Sequence, residues 1–221
     1  ALLDVSGKVV LWGDGGVGKS TLAYEAAAAY CSKRPVGLIW VSADAEPDFN
    51  LAYFEQELAR LLDCPPDFNT ICAVLQRVPH LVVLDNADTI KDNTLFARLA
   101  QSFPSGCRLL VTSRHVDGRF QGLGEQVEID VMREDEALTY TRQRALSMDP
   151  PPKLTDTHVK QIVEQGGRNP EAIWWLLGHA QSGRLVEALS QMPTGRGLPK
   201  DDKERGPDRI FGRTWQELTQ Q

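Results

Sequence analysis

The stretch Gly13-Asp14-Gly15-Gly16-Val17-Gly18-Lys19-Ser20-Thr21 decides how this sequence folds. It fits the pattern GxxxxGK[ST], in which a glycine-rich loop joins a strand to a helix. Glycine takes positive φ angles without a Cβ clash, so successive backbone N–H groups can curl around an anion. The N-terminus of the following helix offers unpaired N–H groups to the same anion. The stretch therefore predicts a phosphate-binding loop made of Gly13, Gly15, Gly16, Val17 and Gly18.

The last three residues of the motif have separate predicted roles. We expect Lys19 to neutralise the β- and γ-phosphates of a nucleotide, and the Ser20 hydroxyl to ligate Mg²⁺. Thr21 can hydrogen-bond the α-phosphate. The alternative is a glycine-rich turn that is followed by Lys-Ser by chance. A predicted strand before the loop and a predicted helix after it disfavour that alternative.

An apolar strand that ends in an acid follows later, as Leu81-Val82-Val83-Leu84-Asp85. Ligands of open α/β sheets bind at the carboxyl ends of the strands, so Asp85 is predicted to orient Mg²⁺ and its waters. Asn86 comes next and can orient water, but it cannot accept a proton. Asp88 is a candidate general base, and it can equally cap the next helix. Without a clear base, we expect slow hydrolysis.

A further strand, Arg108–Ser113, is followed directly by Arg114. Parallel strands would place this cation at the same sheet edge as Lys19 and Asp85, and arginine suits bidentate contact with phosphate. A surface arginine in a loop is the alternative. The predicted catalytic set is therefore Lys19, Asp85, Asp88 and Arg114.

The remaining pattern divides the chain in two. Up to about residue 131, helices alternate with five strands, which predicts an α/β domain with a parallel sheet. Beyond it we expect a small all-α domain over residues 132–193. Residues 194–221 are expected to form a linker and the start of a truncated further domain, with a short helix at 210–218. The predicted strands are Lys8–Trp12, Val36–Ser42, Leu81–Asp85, Arg108–Ser113 and Gln126–Asp130.

Helical periodicity marks the elements between and after the strands. Lys19–Ser32 should bury a face that includes Leu22, and Asn50–Asp63 a face that includes Leu61. The other predicted helices are Phe68–Arg77, Thr94–Gln101, Glu134–Leu146, Thr155–Gln165, Pro170–Gln181 and Leu185–Gln191.

Composition excludes several classes of protein. The 221 residues are 42% hydrophobic and 24% charged, which is typical of globular proteins, and no apolar run nears the roughly 18 residues of a membrane span. The net charge of −6 falls entirely on residues 1–131, which makes nucleic-acid binding unlikely. Four cysteines without CxxC or zinc spacing indicate free thiols in a reducing compartment, and hence a cytoplasmic location.

Taken in order, these segments resemble the NB-ARC nucleotide-binding modules, a branch of the STAND class of signalling P-loop NTPases. The resemblance is carried by GDGGVGKST, LIWVSADAE, LVVLDNAD, LLVTSR and GGRNPEA, over about residues 7–192. It implies a sheet order of 5-1-4-3-2, Arg114 as a γ-phosphate sensor and Pro170 packed on adenine. It also implies ATP or ADP with Mg²⁺, contact with other domains of a longer protein, self-association on activation, and signalling of the NLR or innate-immune kind.

The sequence departs from the family at four places. We expect the family's winged-helix domain, with its ADP-sensing histidine, to be absent, since Phe211–Thr219 resembles at most its first turn. Few residues precede the first strand, where the family has an adenine-holding segment. Asn86 replaces a frequent second acid, and Glu171 stands where an apolar residue is usual.

We expect a nucleotide-controlled switch with at most weak ATPase activity. A turnover enzyme, either a small-molecule kinase or a mechanical ATPase, is the main alternative, although no arginine-rich lid is evident. A GTPase lacks support because no NKxD run occurs. An interaction module with a vestigial loop also remains open.

Overall fold

The computed structural model describes residues 2–192, so the predicted linker and the helix at 210–218 lie outside it. The described chain forms two compact units. The first contains the residues up to Asp14 and then Lys19–Ile129, and the second contains Gly15–Gly18 and the described residues from Asp130 onward. Each unit has its own hydrophobic core and is considered by itself.

The first unit is built on a five-stranded parallel sheet. Its strands lie in the order β2-β3-β4-β1-β5, which read from the opposite edge is 5-1-4-3-2. The parallel pairing brings the carboxyl ends of β1, β3 and β4 to one edge. The strands are β1 (Lys8–Trp12), β2 (Gly37–Ser42), β3 (His80–Asp85), β4 (Arg108–Ser113) and β5 (Glu125–Glu128).

Five helices accompany these strands: α1 (Leu2–Ser6), α2 (Lys19–Cys31), α3 (Leu51–Leu62), α4 (Phe68–Arg77) and α5 (Asn93–Ser102). Side-chain caps begin three of them, because Asn50, Asp67 and Asp92 each accept a hydrogen bond from a backbone N–H of the first turn. Asp92 thus caps α5, so the alternative of an Asp88 cap on the next helix is wrong. Asp88 lies instead in a short 3-10 turn, Ala87–Thr89.

Two apolar clusters cover the sheet of the first unit. The larger one includes Phe54, Leu58 and Phe96, and the smaller one includes Ala23, Ala27 and Tyr30. Strand β3 contributes alternate residues to both clusters, as expected of a strand that is covered on both faces. Periodicity placed Leu22 and Leu61 on the buried faces, and this was wrong, since they are 43% and 46% exposed.

One element was missed and another has different bounds from those predicted. Helix α1 was not predicted, because five residues are too few for a helical period to show. Strand β5 begins at Glu125 and ends at Glu128, before the predicted Asp130. Its polar residues give little signal of their own, and pairing with β1 sets its register instead.

The second unit contains α6 (Glu134–Leu146), α7 (Asp156–Gln165), α8 (Pro170–Gln181) and α9 (Leu185–Gln191). Its core is formed by residues such as Ile162, Ile173 and Leu176. Trp175 packs partly buried against this core, and the guanidinium of Arg144 lies 4.6 Å from the centre of the Trp174 ring. Within residues 2–192, no helix is both long and apolar enough to span a membrane.

The exposure difference along α3 gives a test of the core. Phe54 is fully buried, and Leu61 on the same helix is half exposed. Phe54→Ala should lower the free energy of unfolding by about 3–5 kcal/mol, because it leaves a cavity that the surroundings fill only partly. Leu61→Ala, the matched control, should cost less than about 1 kcal/mol. Urea unfolding followed by circular dichroism measures both, and equal losses would contradict this packing.

Candidate functional site

The glycine-rich loop owes its shape to positive φ angles. Gly13, Gly16 and Gly18 have φ values of 152°, 78° and 97°, whereas Gly15 does not need a positive φ. At Gly13 an added Cβ would also lie 2.2 Å from the carbonyl oxygen of Ile129. The backbone N–H of Gly13 donates to the Ser113 carbonyl at 3.3 Å, which ties the start of the loop to the end of β4. A side chain at Gly13 is therefore excluded by both conformation and space.

Lys19 opens α2 and is buried, with an exposed fraction of 7%. Its ammonium donates to the carbonyl oxygens of Gly13, at 2.9 Å, and Asp14, at 2.8 Å. Burial lowers the pKa of Lys19, and the charge of Arg114 adds to this, while Asp88 and Asp85 act in the opposite direction. The ammonium is thus held at the loop, in electrostatic reach of the other predicted catalytic residues.

Asp85 is the centre of a hydrogen-bonded group at the end of β3. Its Oδ1 accepts a 2.8 Å hydrogen bond from the Ser20 hydroxyl and another from the Thr112 hydroxyl. Asp85 and Thr112 are buried. The group brings together the two residues that were predicted to hold Mg²⁺. Thr112 was not predicted, and the available signal was a hydroxyl within an otherwise apolar central strand.

Asp88 and Arg114 form a second pair at the same edge. The Asp88 carboxylate accepts a hydrogen bond from the Arg114 backbone N–H at 3.0 Å. It also lies 3.5 Å from Nε of Arg114. The Asp88 side chain is 9% exposed, whereas that of Arg114 is 55% exposed. Asp88 therefore anchors the arginine, while the guanidinium keeps access to solvent.

Within the second unit, the start of α8 contacts the loop residues Gly15 and Gly16. The Asn169 side chain donates to the Gly15 carbonyl at 2.7 Å, and the Glu171 N–H donates to the Gly16 carbonyl at 3.3 Å. An added Cβ on Gly16 would lie 2.2 Å from Oε2 of Glu171. Asn169 also caps α8 by accepting from the N–H groups of Glu171 and Ala172, with Pro170 in the first turn. Sequence reasoning missed this double use of Asn169.

The predicted magnesium ligands fit a cation that is held jointly by protein and nucleotide. Mg²⁺ usually takes one or two protein oxygens, with phosphates and waters completing its octahedron. Ser20 and Asp85 offer two oxygens already 2.8 Å apart. Across residues 2–192, no three His, Cys, Asp or Glu side chains converge as a metal site made of protein alone.

Known structures share this arrangement of sheet and helices. The RuvB Holliday junction branch migration motor of Thermotoga maritima superposes with a TM-score of 0.56 at 14% identity, covering 89% of this chain and 66% of its own. A Walker-type ATPase of Pyrococcus abyssi superposes with a TM-score of 0.62 at 13% identity, covering 86% of this chain and 67% of its own. Cdc6p from Pyrobaculum aerophilum superposes with a TM-score of 0.62 at 14% identity, covering 84% of this chain and 59% of its own. At such low identity these similarities show the fold alone.

The family follows from the sequence model that matches the chain. The NB-ARC domain model matches residues 2–149, which is more than half of the chain. The protein therefore belongs to the NB-ARC domain family, as the order of its motifs indicated. No curated protein sequence matches the chain.

The two roles of Asn169 can be separated by substitution. Asn169→Ala removes both the cap of α8 and the bond to Gly15, so the free energy of unfolding should fall by about 2 kcal/mol. Asn169→Ser keeps a capping hydroxyl but is too short to keep the Gly15 bond, and it should cost about 1 kcal/mol. Urea unfolding compares the two, and a serine variant as unstable as the alanine variant would refute the capping role.

Proposed function

We propose that this chain is the ATP- or ADP-binding switch module of a larger signalling protein, with slow Mg²⁺-dependent hydrolysis. The observation that carries the proposal is the convergence of Lys19, Ser20, Asp85 and the Asp88–Arg114 pair at one edge of the sheet. Cations for a polyphosphate and oxygens for Mg²⁺ are thereby close to a glycine-rich loop. Family membership supports the same function.

Each residue of the proposed site then has a definite task. The loop N–H groups that follow Gly13, as far as Thr21, bind phosphate oxygens, and Lys19 exchanges its carbonyl acceptors for the β- and γ-phosphates. Bound Mg²⁺ would neutralise phosphate charge, with Ser20 and Asp85 as its protein ligands. Pro170 would pack on adenine, a role that the resemblance to the NB-ARC family implies.

In this proposal Arg114 is the residue that distinguishes ATP from ADP. A ligand shifts a conformational equilibrium only through different affinities for the two states. Only ATP has a γ-phosphate, and the Arg114 guanidinium, exposed but anchored by Asp88, is the group we assign to it. Asp88 then serves to orient Arg114, and this use of its carboxylate disfavours a role as general base.

The role in a longer protein is part of the same proposal. Self-association on activation, contact with other domains, an NLR-like or innate-immune signalling role and a cytoplasmic location are expected from the NB-ARC family. A turnover enzyme of the mechanical kind is the alternative, since one of the similar folds is named a branch migration motor. Identification of the nucleotide released when the purified protein is denatured, together with its rate of hydrolysis, separates the two. Turnover of many per second would favour the alternative.

The proposal predicts that nucleotide binding depends on one ammonium. At ATP 100-fold above its dissociation constant, binding should stabilise the protein by about 2.7 kcal/mol, visible as a rise in melting temperature. Lys19→Ala should abolish that rise, because it removes the cation that neutralises the phosphates. Lys33→Ala, an exposed lysine just beyond α2, should keep it. An unchanged rise in the Lys19 variant would refute the site.

A second prediction concerns discrimination between ATP and ADP. Arg114→Ala should weaken ATP binding roughly 10-fold, the loss of one charge-assisted hydrogen bond, and change ADP binding less than about twofold. Titration calorimetry with each nucleotide and Mg²⁺ measures both constants, with Arg77→Ala as the exposed control. If the binding of ATP and the binding of ADP weaken equally, Arg114 does not contact the γ-phosphate.

A further inference from the structure

Asn86, the residue in place of a second acid, is held in one conformation by its neighbours. Its backbone is left-handed, with a φ of 59°. Its N–H donates to the Thr112 hydroxyl at 2.9 Å, and its carbonyl accepts from both the N–H and the hydroxyl of Thr89. Left-handed backbone is uncommon outside glycine, and asparagine tolerates it better than most residues. These bonds fix the direction in which the side chain leaves β3.

That side chain reaches an acid on the neighbouring strand. Nδ2 of Asn86 donates to Oδ2 of Asp44 at 2.7 Å. Asp44 lies in the 3-10 turn Ala43–Ala45, directly after β2, and Ser42 at the end of β2 is in register with Asp85. The turn packs against the turn that carries Asp88, with Ala43 and Ala87 both buried. Asp44 therefore has a defined position at the same carboxyl edge of the sheet.

Together, Asn86 and Asp44 supply the proton acceptor that Asn86 alone lacks. An amide can orient a water molecule but cannot take its proton, whereas a carboxylate accepts hydrogen bonds and protons. The bond from Nδ2 orients the Asp44 carboxylate through a residue that is itself fixed to β4 by Thr112. Asp44 is exposed, so water and a route for the proton to solvent are available.

We propose that Asp44 is the catalytic carboxylate of the hydrolytic step and that Asn86 is its positioning residue. This inference rests on the proposed function. The water oxygen bonds to the γ-phosphorus, and the bond from that phosphorus to the β–γ bridging oxygen breaks. Its electron pair stays on ADP, and the water proton passes to the Asp44 carboxylate and then to solvent. Asp88 is a weaker candidate for this task because its carboxylate binds Arg114 and is largely buried.

The test separates binding from hydrolysis. Single-turnover ATP hydrolysis and the dissociation constant for ATP with Mg²⁺ are measured for the unaltered chain, Asp44→Asn, Asn86→Ala and the double variant. Asp48→Asn, an exposed aspartate of the same segment, is the matched control. Asp44→Asn should slow hydrolysis about 100-fold, as expected for loss of a general base, with the dissociation constant changed less than about twofold.

Asn86→Ala should also slow hydrolysis, and the double variant should be no slower than Asp44→Asn, because both changes remove the same oriented carboxylate. Hydrolysis by Asp44→Asn at the rate of the unaltered chain would overturn the inference, as would additive losses or an equal loss of ATP binding. An unaltered chain that binds ATP but never hydrolyses it would also overturn the inference while leaving the binding site intact. Failure of the unaltered chain to bind ATP would instead refute the proposed function itself.

Discussion

The carboxylate of Asp85 is the interaction on which the arrangement of the site depends. It is buried at the end of a central strand, and it stays there because the hydroxyls of Ser20 and Thr112 donate to it. A buried charge without partners would be costly, so these bonds connect β3 to β4 and to the start of α2. Thr112 also accepts a hydrogen bond from the Asn86 backbone N–H, and in the proposed function Ser20 and Asp85 hold Mg²⁺. The parallel arrangement makes this convergence possible, since β3 and β4 end at the edge where α2 begins.

Much of the fold could be predicted because its elements carry strong local signals. The sequence predicted β3 and β4, which are apolar and covered on both faces, with bounds close to those observed. The same holds for the amphipathic helices α3 and α4. The elements that failed are defined by their neighbours. Strand β5 is polar and takes its register from β1, and α1 is a single short turn. Leu22 and Leu61 were misplaced because periodicity identifies a face but not the width of the surface that covers it.

For the site, sequence reasoning reached the residues whose chemical type is distinctive. The structure places Lys19, Ser20 and Asp85 together, and it places Arg114 beside Asp88. Asp88 does not cap α5, which was the alternative role predicted for it. Thr112, Asn169 and Asp44 were missed because each acts through a partner distant in sequence. A single sequence carries no signal for such pairs, and only the folded structure reveals them.

The energetics of the proposed switch follow from the fact that both its cations already have protein acceptors. Lys19 is bound to two loop carbonyls and Arg114 to Asp88. A bound nucleotide would replace these acceptors with phosphate oxygens, so the net gain in free energy is only the difference between the new contacts and the old ones. ADP involves the first exchange, and ATP involves the second as well. One charge-assisted contact supplies about 1.5–3 kcal/mol before that exchange is subtracted, whereas moving an equilibrium from 1:99 to 99:1 needs about 5.5 kcal/mol. Arg114 alone therefore cannot drive a complete switch, and the proposed switch needs further contacts that differ in free energy between its two states.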